Sequence, residues 1–118
     1  MFLAVFVSVI FGLQTVIRSY SLPAQDEIRG VWLTNVDSEI LFSQPRIDSA
    51  LNRLDNIHLN TVYPTVWQGG YTLYPSQVTE RVFGESIDPD PRLETRDILQ
   101  AVIDKGHQRG MTVIPWFE

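Results

Sequence analysis

Three short stretches of β-branched and aromatic residues alternate with two segments whose apolar residues recur every three or four positions. Residues 27–34 (EIRGVWLT) predict the first strand: Ile28, Val31, Trp32 and Leu33 supply apolar and aromatic character, and Gly30 permits close backbone approach. Ser43 or Gln44 caps the helix that follows, with Pro45 near its first position. Ile47, Ala50, Leu51, Leu54 and Ile57 form one apolar stripe on it, with Asp48, Asn52, Arg53 and Asp55 on the wet side. That helix ends near His58, and Asn60 suits a left-handed exit. Residues 61–66 predict the second strand, which empties into Trp67, Gln68, Gly69, Gly70 and Tyr71. The connection over residues 67–93 far exceeds the roughly 2 to 6 residues usual between a strand and a helix, which marks it as functional or a lid. Within it, residues 71–74 predict a short strand, and Asp88-Pro89-Asp90-Pro91 a turn. The second helix, 95–109, buries Ile98, Leu99, Val102 and Ile103 and stops at Gly110; Lys105 and Arg109 suit the negative end of its dipole. Residues 112–117 (TVIPWF) predict the third strand.

This order makes two βαβ units and a parallel sheet. Two helices cannot cover three strands on both faces, so the pattern predicts the opening portion of a larger α/β domain. Pro64 and Pro115 resist the assignment, because a missing N–H interrupts a strand ladder; a bulge or a barrel rim is needed to accommodate them.

Composition adds two limits and one leader. The 118-residue chain carries a net charge of −5 with its acids scattered, which disfavours nucleic acid as a partner. It has no cysteine, so neither a disulfide nor a thiolate metal site is available. Residues 1–17 are almost wholly apolar and precede Arg18, which predicts an export signal or a membrane anchor within residues 1–25 and a folded part from residue 26. Export to the periplasm, cell surface or medium follows, with membrane contact only through that segment if it is retained.

Ligands of parallel α/β sheets sit at the carboxyl ends of the strands. Those ends carry Asn35 and Asp37, then Trp67, Gln68 and Tyr71, then Trp116 and Glu118. Aromatic faces stack on the C–H surface of sugar rings while amides and carboxylates hold hydroxyls, so the set suits an oligosaccharide or polysaccharide. Each residue also has a plain structural reading. Asn35 and Asp37 can cap turns, Trp67 and Trp116 can fill a barrel mouth, Glu118 can fray, and Trp32 reads as core. His58 and His107 sit at helix ends away from the strand exits without metal-ligand spacing. The NVDSEI stretch after the first strand contains no glycine, which argues against a dinucleotide cofactor.

The segments EIRGVWLTNVDSEILFS, LNTVYPTVWQGGYTLYPS and GHQRGMTVIPWFE together resemble the N-terminal part of the glycosyl hydrolase-like 10 family, bacterial exported proteins related to TIM-barrel glycosidases. The resemblance implies a (β/α)8 barrel acting on polysaccharide, with cell-wall glycan among the candidates. It also implies that this chain holds the first three strands and two helices of a truncated barrel. Barrel glycosidases of this kind carry their acid and nucleophile on later strands, so the fragment is expected to be inactive and to hold substrate through Asn35, Asp37, Trp67, Gln68, Tyr71, Trp116 and Glu118. The competing expectation is a non-catalytic carbohydrate-binding or surface α/β protein; a small membrane-anchored α/β protein that binds no sugar is a third.

Overall fold

The computed structural model describes residues 27–118, and the expected export signal or anchor lies outside them. Its elements are β1 (Gly30–Leu33), α1 (Gln44–Asn56), β2 (Thr61–Gln68), β3 (Tyr71–Thr72), α2 (Gln77–Phe83), α3 (Ile98–His107), β4 (Thr112–Val113) and β5 (Trp116–Phe117). β2 is the common partner of every other strand. Along one edge it pairs in parallel with β1, Gly30 opposite Thr61 through Leu33 opposite Pro64. β4 and β5 also run parallel to it, with Thr112 opposite Thr61 and Trp116 opposite Thr65. Parallel neighbours need long crossovers, and α1 and α3 lie within them.

Alternation along the strands sorts side chains to two faces. Leu33 and Val62 point to the helices and join Leu41, Ile47, Leu51, Val102 and Met111 in the core. Trp32, Tyr63, Ile114 and Trp116 belong to the other face, which stands open among the described residues. Trp32 is therefore not core: it is 50% exposed, because Leu33 takes the inward position and adjacent strand residues point opposite ways. The α/β alternation is as expected, but the sheet of the described residues is open and forms no closed barrel. In the 67–93 connection the expected short strand is present as the antiparallel β3, and the helix α2 is an addition the sequence pattern did not predict.

The two prolines fall at one interruption. Ile114 donates its N–H to the Val62 carbonyl at 2.9 Å. Pro64, two residues on and facing the same neighbour, has no N–H to continue that ladder. Pro115 sits in the gap between β4 and β5, and the register shifts between Thr65 and Trp67 just beyond.

Both helices are shorter than the apolar pattern suggests. α1 buries Ile47, Ala50 and Leu51 and leaves Leu54 half-buried, but Ile57 lies past its end and is 66% exposed. The left-handed exit is His58, at φ 61°, and not Asn60. Asn60 instead clamps β1 to β2: its Oδ1 accepts from the Arg29 N–H at 2.9 Å and its Nδ2 donates to the Glu27 carbonyl at 2.7 Å. α3 starts at Ile98 because Asp97 caps it, accepting from the Gln100 N–H at 2.8 Å. It buries Ala101 and Gly106 as well as Ile98 and Val102, with Leu99 and Ile103 half-buried. Beyond its end Arg109 reaches across to α1, donating to Asp48 at 2.8 Å and Asn52 at 2.6 Å. The Arg109 hydrogen bond lowers the Asp48 pKa.

A Cβ built on Gly106 would lie 2.7 Å from Cγ2 of Val113, so α3 meets β4 through a glycine. Helix propensity favours alanine by about 1 kcal/mol, but overpacking against a stiff β-branched neighbour costs about 1 to 3 kcal/mol. Gly106→Ala is expected to lower stability in urea denaturation, and a Gly106→Ala, Val113→Ala double variant to recover part of the loss.

A charged strap closes the long connection. Arg92 forks onto Asp90 and Glu39 and lies 3.7 Å over the Phe42 ring, while Arg96 donates to the Phe42 carbonyl at 2.8 Å. The Arg92 hydrogen bonds hold the Asp90 carboxyl down to about 2. A depressed folded-state pKa stabilises above the unfolded value of roughly 3.9, and that stability is lost as pH falls through about 2. The difference in Tm between wild type and Asp90→Asn is expected to be present at pH 5 and to shrink towards pH 2 in thermal melts.

Candidate functional site

Three strand exits meet in a polar group. Gln68 ends β2, Asn35 follows β1, and Glu118 follows β5, where its backbone N–H donates to the Trp67 carbonyl at 3.0 Å. Asn35 Nδ2 donates to Gln68 Oε1, and Gln68 Nε2 donates to Glu118 Oε2 at 3.4 Å. The ionised carboxylate only accepts, so it sets the polarity of the chain: Gln68 must turn its NH2 towards Glu118 and its oxygen towards Asn35. Asn35 Oδ1 is left buried and unpartnered among the described residues. An exposed carboxylate held by the Gln68 amide at the end of β2 is suited to accepting hydrogen bonds from hydroxyl groups.

Trp116, the other residue predicted at the third exit, turns to the open face of the sheet. Its ring lies 6.2 Å from Trp32 at 55° and 6.4 Å from Tyr63 at 82°, within the usual range for aromatic pairs. The three line a cleft of about 250 Å3. Trp32 is pinned there by its indole N–H, which donates to Thr65 Oγ1 at 2.9 Å.

Trp67 and Tyr71 lie on a tight hairpin. β2 and β3 pair Trp67 with Thr72 and Gln68 with Tyr71 across Gly69 and Gly70. The glycines sit at φ 61° and 95°, conformations that two-residue hairpin turns require and that side chains resist. α2 packs beside this hairpin: Ser76 caps it by accepting from the Thr79 N–H, and left-handed Gly84 ends it. Its last residue, Phe83, meets Trp67 at 6.1 Å and 52°. Trp67, Gly69, Gly70, Tyr71, Phe83 and Glu85 line a groove of about 280 Å3. Asp37 stands apart from these groupings, exposed and at φ 55°.

The profile of the glycosyl hydrolase-like 10 family matches residues 27–118. The chain belongs to that family. No curated protein matches it. Membership suggests a carbohydrate-acting module of glycosyl hydrolase-like type over residues 27–118.

For a glycosyl hydrolase-like 10 chain, the predicted residues thus divide into a polar centre, an open-face aromatic cleft and a hairpin groove. Sequence reasoning missed Tyr63, Phe83 and Glu85, and assigned Trp32 to the core. Strict alternation with buried Val62 would have placed Tyr63 with Trp32 on the open face. The capping serine at 76 and the glycine at 84 would have outlined α2 and so Phe83.

Gln68 bridges two groups, so its loss leaves Asn35 with no side-chain partner. Gln68→Leu is expected to cost about 1 to 3 kcal/mol in denaturant titrations. Glu118→Ala, at an exposed carboxylate, is expected to change stability by less than about 0.5 kcal/mol.

Proposed function

We propose that residues 27–118 form the substrate-holding part of an exported carbohydrate-acting module that binds a polysaccharide at its strand exits. The observation that carries this reading is the polar chain Asn35–Gln68–Glu118, which joins the exits of β1, β2 and β5. Its amides and carboxylate hydrogen-bond sugar hydroxyls. Trp67 and Tyr71 beside Gln68, and Trp116 two residues before Glu118, supply faces on which rings stack.

The same geometry favours holding over cutting. Glycoside hydrolysis needs two carboxyl groups flanking the bond, about 5 to 9.5 Å apart. The hydrogen-bonded chain Asn35–Gln68–Glu118 contains one carboxylate, that of Glu118. In this reading the cleaving pair is not assembled from residues 27–118. The open face bearing Trp32, Tyr63 and Trp116 supports a (β/α)8 architecture, in which such a face lines the barrel interior. A purely carbohydrate-binding protein fits the polar centre equally well, and hydrolysis by the full-length chain separates the two.

The test is binding of soluble β-1,4-linked hexasaccharides by isothermal titration calorimetry with the full-length chain. Glu118→Ala is expected to weaken binding about tenfold, the loss of one charge-assisted hydrogen bond, with thermal stability unchanged. Unaltered affinity in this variant would remove the polar centre from the site.

A further inference from the structure

α2 is fastened to its surroundings by hydrogen bonds and not by its apolar side chains. The excursion that carries it is closed at its neck, where the Ser76 N–H donates to the Ser86 carbonyl at 2.8 Å. Thr79, the buried residue of α2, donates its hydroxyl to the Ser76 carbonyl at 3.0 Å. The Thr72 hydroxyl on β3 donates to the Ser86 carbonyl at 3.2 Å. Val78, Val82 and Phe83 are left outside, 67%, 63% and 65% exposed. Val78 and Val82 stand one turn apart on one side of Thr79, and Phe83 follows Thr79 one turn on. An amphipathic helix turns such an arc towards a core. Here the arc is complete and only its centre is covered.

Charge decides what can cover it. Glu85, two residues past Phe83, also lines a depression of about 330 Å3 together with Asp88, Asp90 and Glu94. Asp90 is neutralised by Arg92, whereas Glu85, Asp88 and Glu94 make no ion pair among the described residues. Arg81 is the one cation of α2. A second copy meeting this face about a two-fold axis sets the acidic rim against itself, and each chain carries a net charge of −5. Anionic lipid headgroups meet the same repulsion. A polypeptide that offers apolar side chains flanked by Lys or Arg complements both the apolar arc and the rim.

We propose that the outer face of α2 is a docking site for a basic, amphipathic polypeptide segment. Its apolar residues cover Val78, Val82 and Phe83, and its cations meet Glu85 and the acidic depression. A helix laid apolar side down makes such a contact. Buried side chains then supply most of the affinity, while the charges set encounter and partner choice. The site is separate from the polar chain Asn35–Gln68–Glu118, to which none of these residues belongs.

The experiment is fluorescence anisotropy of the full-length chain with two labelled, designed amphipathic helices, one of leucine and lysine and one of leucine and glutamate. The leucine–lysine peptide is expected to bind about tenfold more tightly than its acidic counterpart. The double substitution Val78→Ser, Val82→Ser should weaken it about tenfold, and Glu85→Gln about threefold. Asp55→Asn, which removes an acid near the end of α1, should change nothing. Equal binding of the two peptides, binding of neither, or leucine–lysine binding indifferent to Val78 and Val82 overturns the proposal. Binding to phosphatidylcholine–phosphatidylglycerol vesicles that the double variant loses, with no peptide bound, assigns the face to a lipid surface and overturns it. Conversion of a dimer to a monomer by the double variant in light scattering, with no peptide bound, assigns the face to a second copy and overturns it too.

Discussion

Two-sided hydrogen bonding of β2 is the constraint on which the remaining structure depends. β1 pairs along β2, β4 and β5 run parallel to it, and β3 folds back on its end. α1 and α3 are held where they are because they lie within the crossovers that these parallel pairings require. The candidate site residues inherit their positions from the same strand. Gln68 reaches Asn35 and Glu118 because β2 lies between the exits of β1 and β5, and Trp67 reaches Phe83 because the glycine turn returns the chain beside it.

The interruption of the ladder around Pro64 and Pro115 belongs to this arrangement. Parallel pairing at Thr61 and Val62 gives way to a shifted register between Thr65 and Trp67. Without an N–H on Pro64, the strand is free to change register just before its C-terminal end. Trp67 and Gln68 are the residues that follow, so the change of register precedes the division of the strand end between an aromatic groove and a polar centre.

Long-period features were readable in the sequence, and short-range parity was not. The apolar stripe containing Ile47, Ala50 and Leu51 located α1, and the β-branched run from residue 61 located β2. The strand exits were also placed correctly enough for Asn35, Gln68 and Glu118 to be grouped. Trp32 was misplaced because four residues of β1 give no clear inward phase, and a large aromatic residue favours either face. Asn60 looked like a helix exit because asparagine tolerates left-handed backbone, but its side chain is used to clamp β1. α2 was absorbed into the long connection, since seven residues carry little periodic signal. Phe83 was lost with it, and so was the groove that only tertiary contact reveals.

Indole N–H resonances of the three tryptophans report directly on where a glycan sits. In a two-dimensional 1H–15N titration of the full-length chain with a binding hexasaccharide, the account predicts the largest shift at Trp67. Trp32, whose indole N–H is already bonded to Thr65, is expected to move least. A titration that moves Trp32 most and leaves Trp67 unshifted would contradict the account, because it would put the ligand away from the end of β2.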